Sequence, residues 1–273
     1  MTRPVNLAII GLTMLSAWLI IHPVESLLGD FSFALRVMSA ICIAAAGNVI
    51  NDYFDRKVDL INKPERTYID ISVKRRVAIA SHVLLNFVGI IAGWMGCRNG
   101  HGLWLICPCL TLAILWWYSA VLKRKFLSGN ISVALCTAMV PLWAVCNILH
   151  ESILIAVLFA FATTLLREIV KDAEDEIGDK TLGYDTLAVR LGSEKTRAIL
   201  QRMTLIIMGL CLILLAISGE TMQRIFFGLI MAELIVFLLQ LKQSMHPQDF
   251  SKPSRTLKII MLSGVLLLPW VFG

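Results

Sequence analysis

Hydrophobic positions along this chain fall into long, nearly unbroken runs, with the charged residues gathered between them. About 20 apolar residues are enough to cross a bilayer as a helix. Nine stretches qualify, near 5–24, 31–51, 77–95, 102–122, 129–147, 152–170, 200–218, 223–241 and 257–272. The pattern predicts an all-α, polytopic membrane protein: a nine-transmembrane-helix bundle around a central cavity. The first run carries no small-residue cleavage site, so it reads as a span and not as a signal peptide. No linker or low-complexity stretch divides the chain, and residues 1–273 read as a single integral-membrane domain.

Composition supports the membrane class. Of the 273 residues 58% are hydrophobic and only 16% charged, and the mean hydropathy is +0.77, far too apolar for an ordinary soluble domain. Charge then fixes an orientation. With nine spans, the N-terminus and the even-numbered loops share one side. All but three of the 25 Lys and Arg residues lie there, the exceptions being Arg36, Arg98 and Arg224. Cytoplasmic loops collect Lys and Arg, so the N-terminus is expected in the cytoplasm of a cell whose inner membrane holds the protein. The net charge of +6 is thus topological, and no aromatic-interleaved basic stretch points to nucleic acid.

Two acid-rich stretches break the apolar pattern. Asn48, Asp52, Asp55 and Asp59 recur as Glu168, Asp172, Asp175 and Asp179. Both follow steps of four, three and four, which line one face of a helix. Each stripe closes an apolar run and opens one of the two longest cytoplasmic loops, 52–76 and 171–199. The matching offset suggests an internal repeat whose helical units face each other. Carboxylates at the end of a span are costly and imply a bound cation or a polar cavity. Asn51, Asp52, Asp55 and Asp59 offer hard oxygen ligands, as do Asp172, Asp175 and Asp179. Mg²⁺ prefers such ligands and commonly joins carboxylates to substrate phosphates. The blander alternative for one stripe is a solvated helix end, with Arg56 and Lys57 as partners along the helix; two matched stripes weigh against it.

Basic residues near the stripes supply diphosphate-binding candidates. Arg66 follows a turn expected at Asn62–Pro64, and a guanidinium can fork onto a phosphate. Lys123 and Arg124 could act from another loop and Lys171 from within the second stripe, with membrane-side anchoring as the alternative for each. Gly178 and Gly183 are expected to end a helix or shape a loop. Trp117 and Tyr118 belong to an interfacial belt or face the cavity. The seven cysteines show no CxxC or zinc spacing and read as packing residues. The five histidines form no nucleophile arrangement, and no P-loop, GxGxxG or HExxH occurs.

At these residues the chain resembles the UbiA family of intramembrane prenyltransferases. Asn51, Asp52, Asp55 and Asp59 fit its Asn-Asp-x2-Asp-x3-Asp signature, and Asp175 and Asp179 its Asp-x3-Asp, with Thr186 in the Gly-x-x-Thr-Leu position. YSAVLKRKFLSGN resembles a further family segment. Within the family, NDYFDRKVDLINKPER and REIVKDAEDEIGD are most similar to the digeranylgeranylglyceryl phosphate synthase branch, whose members attach a prenyl chain to a prenylated glycerol phosphate. The chain departs from the family after Arg66, reading TYIDISVKRR in place of a Pro and a Pro-Ser-Gly-like turn. The resemblance implies Mg²⁺-dependent transfer from an allylic prenyl diphosphate to a lipophilic acceptor among membrane lipids. Asp55 and Asp175 would be the central catalytic carboxylates. An aromatic acceptor, as in quinone biosynthesis, is the alternative. A transporter is a more distant one, whose acids would sit near mid-membrane and not at span ends.

Overall fold

In a computed structural model, residues 3–62, 69–97, 102–146 and 150–272 are described. They are helical throughout apart from short connections and one isolated bridge between Ile69 and Val73. Among these residues a helix stands on each of the nine apolar runs: α1 (Pro4–Ile21), α2 (Phe31–Asn62), α3 (Arg75–Gly96), α4 (Ile106–Ala120), α5 (Ser128–Val145), α6 (Glu151–Glu174), α8 (Leu187–Ile217), α9 (Thr221–Gln243) and α10 (Ser251–Phe272). A short α7 (Glu176–Thr181) lies between α6 and α8. Eight are long and apolar enough to cross a membrane. The fourth run begins as a 3-10 segment at Gly102–Leu105, which leaves α4 only 15 residues. The two long loops expected at 52–76 and 171–199 are largely helix instead: α2 runs on to Asn62, and α8 begins at Leu187.

The chain divides into two compact units, Met1–Leu122 with Ala138–Val157, and Lys123–Thr137 with Leu158–Gly273. In the first, small residues let α2 and α3 approach closely, as in membrane helix pairs generally. A methyl group at Gly93 would stand 2.8 Å from Ser39 Oγ, and one at Gly96 would stand 2.9 Å from the Ser32 carbonyl oxygen. Arg36 Nη1 donates to the Gly96 carbonyl at 3.1 Å, and Trp143 Nε1 donates to the Arg36 carbonyl at 3.1 Å, tying α5 to the same seam. At the opposite end of α2, Val49, Ile69 and Ala78 form a buried cluster flanked by Tyr53 and Leu85. This cluster anchors the chain as it returns toward α3.

In the second unit α10 packs against α6 so tightly that a side chain at Gly264 would run into the ring of Phe159. Polar pairs link α9 to α10: Ser263 Oγ donates to Glu233 Oε1 at 2.7 Å, and Thr256 Oγ1 donates to Gln240 Oε1 at 2.8 Å. α8 bends at Gly192, whose φ of 80° and ψ of 162° suit glycine alone. Thr186 caps α8 by accepting the Val189 N–H at 3.4 Å.

Candidate active site

The first acid stripe lies on the last turns of α2. Asn51 and Asp55 point inward, 8% and 4% exposed. Asn51 Nδ2 donates to Asp55 Oδ2 at 2.8 Å. The side-chain Oδ1 of Asn51 is buried and finds no hydrogen-bond partner among the described residues. A buried acceptor left in that state is costly, and a hard cation would satisfy it. Asp52, one residue on, meets Arg3, whose Nη2 lies 3.0 Å from its Oδ1. Asp59 continues the helix, but its side chain lies outside the described residues. Arg66 lies outside them entirely.

The second stripe is not one continuous helix face, contrary to the expectation from its spacing. Glu168, Lys171 and Asp172 stand on α6, Asp175 occupies the break after it, and Asp179 is on α7. Asp175 has φ −92° and ψ 4° while its N–H still bonds to the Lys171 carbonyl at 2.9 Å. Three consecutive acids, Glu174, Asp175 and Glu176, repel one another and are followed by Gly178, a weak helix former. The helix gives way there. Gly178 sits inside α7 and does not end it. Gly183 does shape the exit, with φ 70° just past the last turn.

The break turns these acids toward basic partners within the same unit. Burial pushes the Asp179 carboxyl up to about 6 and the charge of Asp175 adds to the rise, while Lys123, Lys171 and a hydrogen bond to Thr186 draw it back. Lys123 and Arg124 occupy a short 3-10 turn, Leu122–Arg124, that docks on the α7–α8 connection. The Asp185 N–H donates to the Arg124 carbonyl at 3.0 Å, the Arg124 guanidinium lies 5.5 Å from the Tyr184 ring centroid, and the Tyr184 N–H donates to the Asp179 carbonyl at 2.9 Å. Asn130 on α5, 6% exposed, donates through Nδ2 to Asp172 Oδ2 at 2.8 Å. Arg167 pairs with Glu168 at 2.7 Å and so is taken up locally.

The structure thus brings Asn51 together with Asp55, and Lys123 and Lys171 within electrostatic reach of Asp179. Sequence reasoning passed over Arg3, counted only as a topology charge, and Asn130, whose signal was an amide at the start of an apolar run. Trp116 and Trp117 on α4 are half exposed. Among the described residues no three acidic, His or Cys side chains converge into a ready-made metal cluster. The donor set nevertheless fits Mg²⁺, which takes one or two carboxylates and completes its shell with water and substrate phosphates.

The family profile described as the UbiA prenyltransferase family matches residues 9–264. The chain is 35% identical over 204 residues to a digeranylgeranylglyceryl phosphate synthase of Methanoregula boonei, covering 72% of this chain and 69% of that protein. It is 30% identical over 269 residues to the protein of the same name from Methanothermobacter thermautotrophicus, covering 97% and 90%. A solved structure of a digeranylgeranylglyceryl phosphate synthase superposes with a TM-score of 0.78 at 26% identity, over 99% of this chain and 95% of that one. A UbiA homologue from Archaeoglobus fulgidus, bound to GPP and Mg²⁺, shares the fold with a TM-score of 0.69 at 16% identity, over 98% and 97%.

Proposed function

The chain belongs to the UbiA prenyltransferase family, and from that premise we propose that it joins an allylic prenyl diphosphate to a (geranylgeranyl)glycerol-phosphate-type lipid. It is a membrane-embedded prenyltransferase. The finer reading makes residues 1–273 one catalytic domain, with magnesium as cofactor, the acid motifs at the cytoplasmic face and the cell's inner membrane as its setting. The observation that carries the choice of acceptor is that relatives matched over most of their length bear the name digeranylgeranylglyceryl phosphate synthase.

Asn51, Asp52, Asp55 and Asp59 from the first motif, and Asp172, Asp175 and Asp179 from the second, would hold Mg²⁺. Bound there, the metal would supply positive charge to neutralise the diphosphate leaving group. Lys123, Arg124, Lys171 and Arg66 bind phosphate oxygens, Arg66 by the planar fork that lysine lacks. These cations stabilise charge as it develops on the departing oxygen. The bond from the allylic C1 to the diphosphate oxygen breaks, and the electron pair leaves with the diphosphate. The acceptor hydroxyl oxygen then bonds to C1 and gives up its proton. Apolar helix faces keep water from the allylic cation and accommodate the prenyl tail.

Purified protein incubated with geranylgeranyl diphosphate, Mg²⁺ and one acceptor at a time tests this reading. A prenylated glycerol-phosphate lipid in the mass spectrum is the expected product. An aromatic acceptor prenylated in its place would redirect the function to quinone biosynthesis.

A further inference from the structure

Two of the seven cysteines meet although they stand 49 residues apart in the chain. Cys97 and Cys146 hold their Sγ atoms 3.5 Å apart and are 1% and 2% exposed. Each directly follows a helix, Cys97 after α3 and Cys146 after α5. Arg36 holds both helix ends in place. Its guanidinium donates to the carbonyl of Gly96, next to Cys97, and its own carbonyl accepts the indole N–H of Trp143, three residues before Cys146. Asp30, at 3.7 Å, steadies that guanidinium. Cys146 has a left-handed φ of 45°, costly for a residue with a side chain and kept only where the surroundings fix it. The two side chains thus converge from fixed backbones, and small rotations bring the sulfurs to the roughly 2 Å of a disulfide.

Reactivity and location agree with this geometry. The hydrogen bond from Cys146 draws the Cys97 thiol below its ordinary range; burial opposes this and the charge of Arg36 assists it. Cys97 is the readier nucleophile of the two. Gly96 packs on Ser32 and Arg36 at the start of α2, whereas Asn51 and Asp55 stand toward its other end. The cysteine pair therefore lies at the end of this unit away from the first acid motif. With that motif at the cytoplasmic face, as proposed above, the pair belongs to the opposite side, where disulfides form and persist.

We propose that Cys97 and Cys146 are a disulfide-forming pair that ties the end of α3 to the end of α5 on the extracytoplasmic side. The oxidant is a disulfide, of a small thiol or of a protein. The Cys97 thiolate attacks one of its sulfurs and releases the first thiolate. Cys146 then gives up its proton and attacks the Cys97 sulfur, expelling the second. Two cysteine thiols are oxidised to one disulfide, and the oxidant is reduced to two thiols. Burial shields the finished pair, so the exchange precedes complete packing of these helix ends. The bond closes the segment that carries α4 and α5 and stabilises chiefly by restricting the unfolded chain. The inference rests on the proposed orientation and not on the prenyl-transfer chemistry.

The test uses the full chain, extracted from a membrane that borders an oxidising compartment. Thiols are trapped with N-ethylmaleimide in denaturant, and the peptides are read by mass spectrometry without reduction. Five of the seven cysteines should carry the label, with Cys97 and Cys146 found as one linked peptide pair. In detergent, reduction should lower the wild-type Tm by about 5–15 °C, and the double variant Cys97→Ala, Cys146→Ala should not respond to the reductant. Seven labelled cysteines in the unreduced protein overturn the proposal; if oxidised dithiothreitol then links the same pair in detergent, the orientation is what failed. A bond from either residue to Cys107, which lies within electrostatic reach of both, also overturns it. So does a double variant that loses as much stability on reduction as wild type. Labelling needs no turnover: an active protein with seven free thiols defeats the disulfide alone, and a linked but inactive protein defeats the prenyltransferase reading alone.

Discussion

A carboxylate at the end of a membrane span is stabilised only by what meets it. Asp172 is met by Asn130. Deleting that amide removes a hydrogen bond whose net contribution is about 1 kcal/mol, so Asn130→Ala should lower kcat/KM by roughly fivefold. Steady-state kinetics equal to wild type would show that Asp172 needs no such support. Asp179 gives a pH dependence. Its folded-state carboxyl titrates near 6 against an ordinary 3.8, so between those values the folded protein holds a proton that the unfolded chain has lost. In metal-free protein this group therefore favours the fold less and less as the pH rises through that window. In the proposed ligand set Mg²⁺ would displace this proton, so the half-saturating Mg²⁺ should climb as pH falls below about 6, a dependence that Asp179→Asn weakens. A flat Mg²⁺ requirement from pH 5 to 7 would contradict this. At this scale the carboxylates were legible because acids are rare in apolar sequence. Their partners were not. Arg3 lies 49 residues from Asp52 and Asn130 lies 42 from Asp172, separations across which neither spacing nor periodicity speaks.

Helices carry the next level. The apolar runs located every long helix, because length and hydropathy alone decide whether a segment can satisfy its backbone in lipid. What they hid is where helices outlast the apolar stretch or break. α2 continues through the first stripe into polar sequence, whereas Asp175 interrupts the second and Gly192 bends α8. Hydropathy sees neither, since both depend on local backbone energetics within polar segments. The glycine seam of α3 was likewise unread, although it sets how closely α2 and its motif are held. Gly96→Leu should force that seam apart, because the first added carbon would already stand 2.9 Å from the Ser32 carbonyl oxygen. Overpacking of this kind costs about 1–3 kcal/mol, visible as a lowered Tm in detergent. An unchanged Tm would mean the seam adjusts freely.

For the whole molecule, all-helical class and membrane embedding were legible in composition and run length, and the family in two short motifs. The fourth run shows the limit: it was read as a full span, yet α4 is 15 residues long after its 3-10 start. The orientation proposed from the distribution of Lys and Arg has the N-terminus in the cytoplasm and the C-terminus across the membrane. A reporter fused at Gly273 should therefore be active only outside the cytoplasm. Cytoplasmic activity would require an even number of crossings and would remove one of the nine. The central claim is that the acid motifs use Mg²⁺ to expel diphosphate from a prenyl donor onto a lipid acceptor. Its most direct test is to count diphosphate released against prenylated lipid formed in reconstituted vesicles, for wild type and for Asp55→Ala and Asp175→Ala. The account predicts one diphosphate per product lipid in wild type, abolished by removing Mg²⁺ and by either substitution in folded, inserted protein. Near-wild-type turnover in either variant at saturating Mg²⁺ would contradict it.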